Sequence, residues 1–137
     1  MVLKNPDPKN QNLFYFEAKL KIASGARAVI ILQGKVNTLQ EAPVAVFIDP
    51  TKALVGLSNW GLWVACVPRH TEAMAHHSFA ENGEISIQMV MRGEILEVFF
   101  DSRHSLSTRV NRGTGALGLF SREGPISWQN VQIRKLE

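Results

Sequence analysis

Residues Glu84 to Asp101 read EISIQMVMRGEILEVFFD, Ser105 to Val110 read SLSTRV, and Gly115 to Phe120 read GALGLF. Ile85, Ile87, Met89 and Met91 alternate with other residues. A period of two puts one face of a strand into a core and leaves the other in water. The turn Arg92-Gly93-Glu94 leads into a second strand, Ile95 to Phe100. Asp101-Ser102-Arg103-His104 turns the chain back into Leu106 to Val110. Asn111 to Gly115 then connects to Ala116 to Phe120. Consecutive strands joined by short polar or glycine-bearing turns make an antiparallel meander.

The same pattern extends outward. Phe14, Phe16, Ala18, Leu20 and Ile22 alternate with Tyr15, Glu17, Lys19 and Lys21, and Ala23-Ser24-Gly25 reads as a turn. Ala28 to Leu32 is a continuous apolar run, which predicts burial on both faces. Val44, Val46 and Ile48 alternate up to Asp49-Pro50. Ala53 to Leu57 and Trp63 to Val67 are further strands, and Ile126 to Leu136 is the last. The stretch 71–77 reads as a single helical turn or a loop. No long amphipathic helix is present. The expectation is an all-β fold, a two-sheet antiparallel sandwich of about ten to twelve strands. Residues 13–137 form one domain, and residues 1–12, with Pro6 and Pro8, form an arm or linker.

The 137 residues suit one domain, and 45% hydrophobic with 20% charged residues suits a globular chain with a real core. Cys66 is the one cysteine, so no intrachain disulfide forms, and its apolar neighbours predict a buried thiol. The net charge of +3 is spread along the chain. With no basic stripe interleaved with aromatics, nucleic acid is not expected as a partner. No apolar run approaches the roughly 20 residues that span a bilayer. The opening MVLKNPDP carries prolines and an aspartate where a secretory leader has its apolar centre. The chain is therefore expected in the cytoplasm, or outside the cell if it is an excised module of a secreted hydrolase.

Leu96 to Asp101 (LEVFFD), Ser105 to Arg109 (SLSTR) and Gly118-Leu119-Phe120 together resemble the C-terminal β-sandwich module of glycoside hydrolase family 32, the fructosidases. They also resemble fructan-binding carbohydrate-binding modules and, more broadly, the concanavalin A-like lectin/glucanase jelly roll. The ending SWQNVQIRKL is similar to that superfamily as well. The resemblance is closest over residues 84–137. It implies that the first long strand lies beside the last, that a carbohydrate (fructan or another glycan) is the partner, and that a catalytic domain accompanies the module. In fructosidases the catalytic acids belong to a separate propeller domain. The matched strand glutamate is Glu97.

Three chemistries compete. A glycosidase needs two carboxylates held on rigid elements. Glu97 and Asp101, four apart, are the pair the sequence offers. Structural calcium would need turn acids, and Asp49 and Asp101 are the candidates beside Asp7. His76 and His77 are adjacent and would point to opposite faces, so no joint chelate is expected. Sugar binding needs aromatic platforms with forked or amide hydrogen bonding. The candidates are Asn59, Trp60, Trp63, Glu97, Arg103 and Arg109, with Trp128 read as core. Glu97 has a plainer reading, a cross-strand ion pair with Arg109. The leading expectation is a non-catalytic carbohydrate-binding module. The alternatives are a sandwich that packs on a catalytic domain without binding sugar, and a glycan-active enzyme. Edge strands leave dimerisation open.

Overall fold

The computed structural model describes residues 2–4, 13–32, 44–58, 63–64, 67–68, 73–93, 95–109 and 116–136. These residues hold thirteen strands and one short 3-10 turn. The strands are β1 (Val2–Lys4), β2 (Leu13–Ile22), β3 (Arg27–Leu32), β4 (Val44–Asp49), β5 (Leu54–Ser58), β6 (Trp63–Val64) and β7 (Val67–Pro68). They continue as β8 (Ala73–His76), β9 (Glu84–Arg92), β10 (Ile95–Phe100), β11 (His104–Arg109), β12 (Ala116–Arg122) and β13 (Ile126–Lys135). One sheet runs β1-β12-β3-β4-β5-β8 and the other β11-β10-β9-β2-β13, while β6 and β7 pair only with each other. Every pairing is antiparallel.

The alternation read from the sequence becomes the core. Phe14, Phe16, Ala18, Leu20 and Ile22 of β2 point inward with Ile85, Ile87, Met89 and Met91 of β9 and Leu96, Val98 and Phe100 of β10. They meet Ala28 and Ile30 of β3, Val46 and Ile48 of β4, Val55 and Leu57 of β5, and Leu117 and Leu119 of β12. Each large side chain taken out of water contributes roughly 1.5–3 kcal/mol. β3 is buried on both faces, as its apolar run predicts. Val29 and Ile31 point the other way and form a second cluster with Ala45 and Phe47 of β4. Phe47 lies over Gly56 of β5, where an added Cβ would stand 2.2 Å from the ring.

The first long strand does lie beside the last, because β2 pairs with β13. A bulge interrupts that pairing. Gln129 pairs with Lys19 and Gln132 with Glu17, so Asn130 and Val131 together face one residue of β2. Asn130 takes φ 52°. The extra residue lets Trp128, Val131 and Ile133 all pack against the core.

Several expectations need correction. Val2–Lys4 of the expected arm is a strand, antiparallel to β12. Within residues 71–77, Ala73–His76 is strand β8 on the sheet edge, with Ala73 and Ala75 packed on the core and Met74 and His76 exposed. Pairing with β5 makes this stretch a strand and not a helical turn or a loop. Trp63–Val64 and Val67–Pro68 pair as two short strands in place of one strand. Cys66 lies outside the described residues.

Gly83 has φ 74°, and an added Cβ would stand 2.2 Å from the carbonyl oxygen of Ile22. Gly25 has φ 81° with nothing near the Cβ position. Gly25→Ala is therefore expected to cost about 1–2 kcal/mol of backbone strain alone. Gly83→Ala should cost more, at least about 3 kcal/mol, because backbone must also move. Denaturant unfolding of both variants checks the order.

Candidate functional site

The outward positions of β2, β9 and β10 lie side by side across the five-stranded sheet. One row crosses it as Arg134, Tyr15, Val90, Glu97 and Ser107. The next crosses as Gln132, Glu17, Gln88, Phe99 and Ser105. Tyr15, Gln88, Val90 and Phe99 are half-buried among their neighbours, and Glu97 is exposed. This face therefore mixes an aromatic ring, a phenol, amides and carboxylates at strand spacing, about 4.8 Å from one residue to the next.

Tyr15 is held on both sides. Its hydroxyl donates to Glu17 Oε2 at 3.0 Å, and the Arg134 guanidinium lies 4.5 Å above its ring. Burial pushes the phenol above its ordinary value, the bond to Glu17 and that residue's negative charge push it further, and Arg134 opposes them. The phenol is thus kept protonated and its ring is fixed, as a stacking platform requires.

Along the strands this face runs into a polar cleft of about 510 Å³ lined by Lys19, Ser78, Phe79, Glu84, Ser86, Asp101 and Arg103. Its rim is the turn between β10 and β11. Asp101 and Ser102 both take positive φ, 52° and 54°, and the Arg103 amide donates to the Phe100 carbonyl at 3.0 Å. Such turns match the twist of a hairpin, but glycine and asparagine usually occupy them. Here contacts made by the Asp101 side chain offset the strain. Oδ1 accepts from the Ser86 amide at 2.8 Å, and Oδ2 accepts from His77 Nε2 at 2.8 Å. Arg103 Nη2 donates to the Ser78 carbonyl at 2.6 Å and stands 3.5 Å from Asp101 Oδ2. Its side chain remains 51% exposed, so it offers a positioned cation to the cleft. Lys19 and Glu84 pair across the opening at 3.2 Å.

The structure sorts the candidates read from the sequence. Glu97 and Arg103 lie on this one continuous surface. Glu97 stands opposite Ser107, and Arg109 stands opposite Ile95, so the two expected ion-pair partners are not directly across from each other. Asn59 and Trp60 lie outside the described residues. Trp63 and Arg109 are described as strand positions, in β6 and β11. Glu97 and Asp101 do not share a strand face. Asp101 lies in the turn and is bound by His77, Ser86 and Arg103. Asp49 accepts from the Lys52 amide at 3.3 Å and caps the 3-10 turn Pro50–Lys52. Among the described residues no group of three or more His, Cys, Asp or Glu side chains is placed to hold a metal. Glu17, Gln88 and Phe99 were missed, although the outward phase of the alternation marks them.

The side of β3 and β4 that points away from the main core differs. Val29, Ile31, Ala45 and Phe47 there are all buried, with no hydrogen-bonding side chain among them.

Solved structures share this architecture. The carbohydrate-binding module CBM66 from Bacillus subtilis matches with a TM-score of 0.67 at 12% identity, over 90% of this chain and 76% of that one. Chicken galectin 2 matches with a TM-score of 0.65 at 11% identity, over 97% of both chains. The fold is theirs. A fructosyltransferase from A. japonicus matches with a TM-score of 0.68 at 13% identity over 98% of this chain, which spans 24% of that enzyme. At these identities the likeness concerns the concanavalin-like sandwich alone. No protein-family model matches the sequence, and no curated protein gives a significant match.

Tyr15 is the one tyrosine of the chain, so its phenolate absorbance reports a single group. Glu17→Gln should lower the titration midpoint of Tyr15, because it removes the negative charge that disfavours phenolate. Ultraviolet titration of the variant and the parent checks the sign.

Proposed function

We propose that this chain is a non-catalytic carbohydrate-binding module that takes its ligand on the outer face of the five-stranded sheet. The observation that carries the reading is the row of Tyr15, Glu97 and Ser107 beside Glu17, Gln88 and Phe99, continued into the cleft of Arg103. Apolar sugar faces stack on rings, and sugar hydroxyls accept hydrogen bonds from amide and guanidinium groups and donate them to carboxylates. The surface supplies both kinds of contact on rigid strands, which limits the side-chain ordering that binding requires. The sandwich also belongs to a fold that includes a module and lectins named for sugar binding.

Fructan is the first ligand to try, on the resemblance of the LEVFFD, SLSTR and GLF strands to fructosidase sandwiches. Association with a hydrolase draws on the same resemblance and on the fructosyltransferase match. Asn59 and Trp60 are further contact residues in this proposal.

Affinity electrophoresis against levan, inulin and a broad glycan panel should show retardation by at least one glycan. Glu97→Gln and Tyr15→Ala should each weaken it about tenfold or more, near 1.4 kcal/mol, with the circular dichroism of the fold retained. Trp60→Ala separates a contribution of Trp60 from that of the sheet face. If no glycan retards the chain, the reading is wrong. Hydrolysis of a glycan that disappears in Glu97→Gln would replace it with the enzymatic alternative.

A further inference from the structure

His77 and Asp49 are the two buried polar side chains among the described residues, and His77 is 1% exposed. It follows β8 at the seam where the two sheets meet. Its Nδ1 stands 2.9 Å from His104 Nδ1, and its Nε2 stands 2.8 Å from Asp101 Oδ2. Phe79 meets the ring edge-on at 4.9 Å, Phe100 lies at 6.2 Å, and the His77 amide donates to the Ala53 carbonyl. The charged or titratable groups against it are Asp101, Arg103 at 3.4 Å from Nε2, and His104. His76 beside it is exposed, and Lys19 and Glu84 lie across the cleft.

The protons can be counted from these contacts. A carboxylate accepts, so His77 Nε2 carries hydrogen toward Asp101. Two nitrogens 2.9 Å apart hold one hydrogen between them, so the facing Nδ1 atoms share a single proton. That arrangement uses two protons on two neutral rings. A third fits on His104 Nε2, the one ring nitrogen outside these contacts, and leaves the network whole. A fourth would place N–H against N–H and break it. Protons on interacting rings belong to the pair and not to either residue.

We propose that the His77–His104 pair is a proton-operated latch that positions Arg103 in the cleft, closed with up to three ring protons and opened by the fourth. The inference rests on the sugar-binding reading of that cleft. His77 is walled in by two phenyl rings and its backbone bond, so the half-buried His104 is the ring that turns out. Arg103 directly precedes it in the chain, and the guanidinium is anchored on the Ser78 carbonyl, one residue after His77. Opening the pair loosens both ends of that anchorage. His77 and His104 are positioning residues here, because they act on ligand through Arg103.

The test follows the Arg103 side-chain Nε–Hε signal by NMR from about pH 8 down to about pH 4.5. No ligand is needed. In the parent the signal should hold while the pair takes its third proton and move when the His77–His104 contact is lost. In His104→Phe, which cannot place a second N–H against His77, the acid-side movement should vanish. His104→Asn gives a second fold-compatible variant if phenylalanine does not fit. With whichever glycan binds, affinity should fall about tenfold over the same step in the parent and stay flat in the variant. An Arg103 signal that ignores pH in the parent, or moves alike in parent and variants, overturns the latch. Failure of every glycan to bind overturns the sugar reading, while the Arg103 signal still decides the latch.

Discussion

Two sheets, each apolar on one face, have to cover one another, and everything else in this molecule follows from that constraint. The inward phase of β2, β9 and β10 is occupied by Phe14, Phe16, Leu20, Ile85, Ile87, Met89, Leu96, Val98 and Phe100. Because side chains alternate with a period of two, fixing the inward phase also fixes which residues face water. Tyr15, Glu17, Gln88, Glu97 and Phe99 reach one common surface for that reason. A slip of one residue would bury Glu17 and Glu97 and expose the core.

The seam between the sheets carries the other notable contact. Asp101 could have been a solvent-facing turn acid. It instead ties β9 through the Ser86 amide and the end of β8 through His77. The positive φ of Asp101 and Ser102 is retained because these bonds hold it. An unpaired buried His77 would be costly, so the carboxylate and the second imidazole stabilise the junction together. That same closure presents Arg103 to the cleft.

Much of the fold was legible because it rests on local alternation. β10 was read with its observed bounds, and β2, β9 and the double burial of β3 follow from one-dimensional pattern. What was not legible depends on pairing partners far away in sequence. β1 is a strand because β12 offers an edge, and β8 is a strand because β5 does. The one-residue phase shift between Trp128 and Val131 is visible in the sequence, but the bulge it produces only has meaning against Ala18 of β2. At the site, Glu97 and Arg103 were singled out from the strand and turn they occupy. The His77–His104 contact spans 27 residues and joins two sheets, so no spacing rule could bring those rings together. Glu17 and Gln88 were overlooked because outward polar residues on a strand look like ordinary solvated surface until their rows are laid side by side.

In the proposed mode of binding, ligand lies on the five-stranded face and not on the apolar side of β3 and β4. Amide and side-chain NMR of the intact chain, titrated with a binding fructan or other oligosaccharide, tests it most directly. Shifts should concentrate at Tyr15, Glu17, Gln88, Glu97, Phe99 and Arg103. Shifts confined to the face of Val29, Ile31, Ala45 and Phe47, or absent from the five-stranded face, would contradict it.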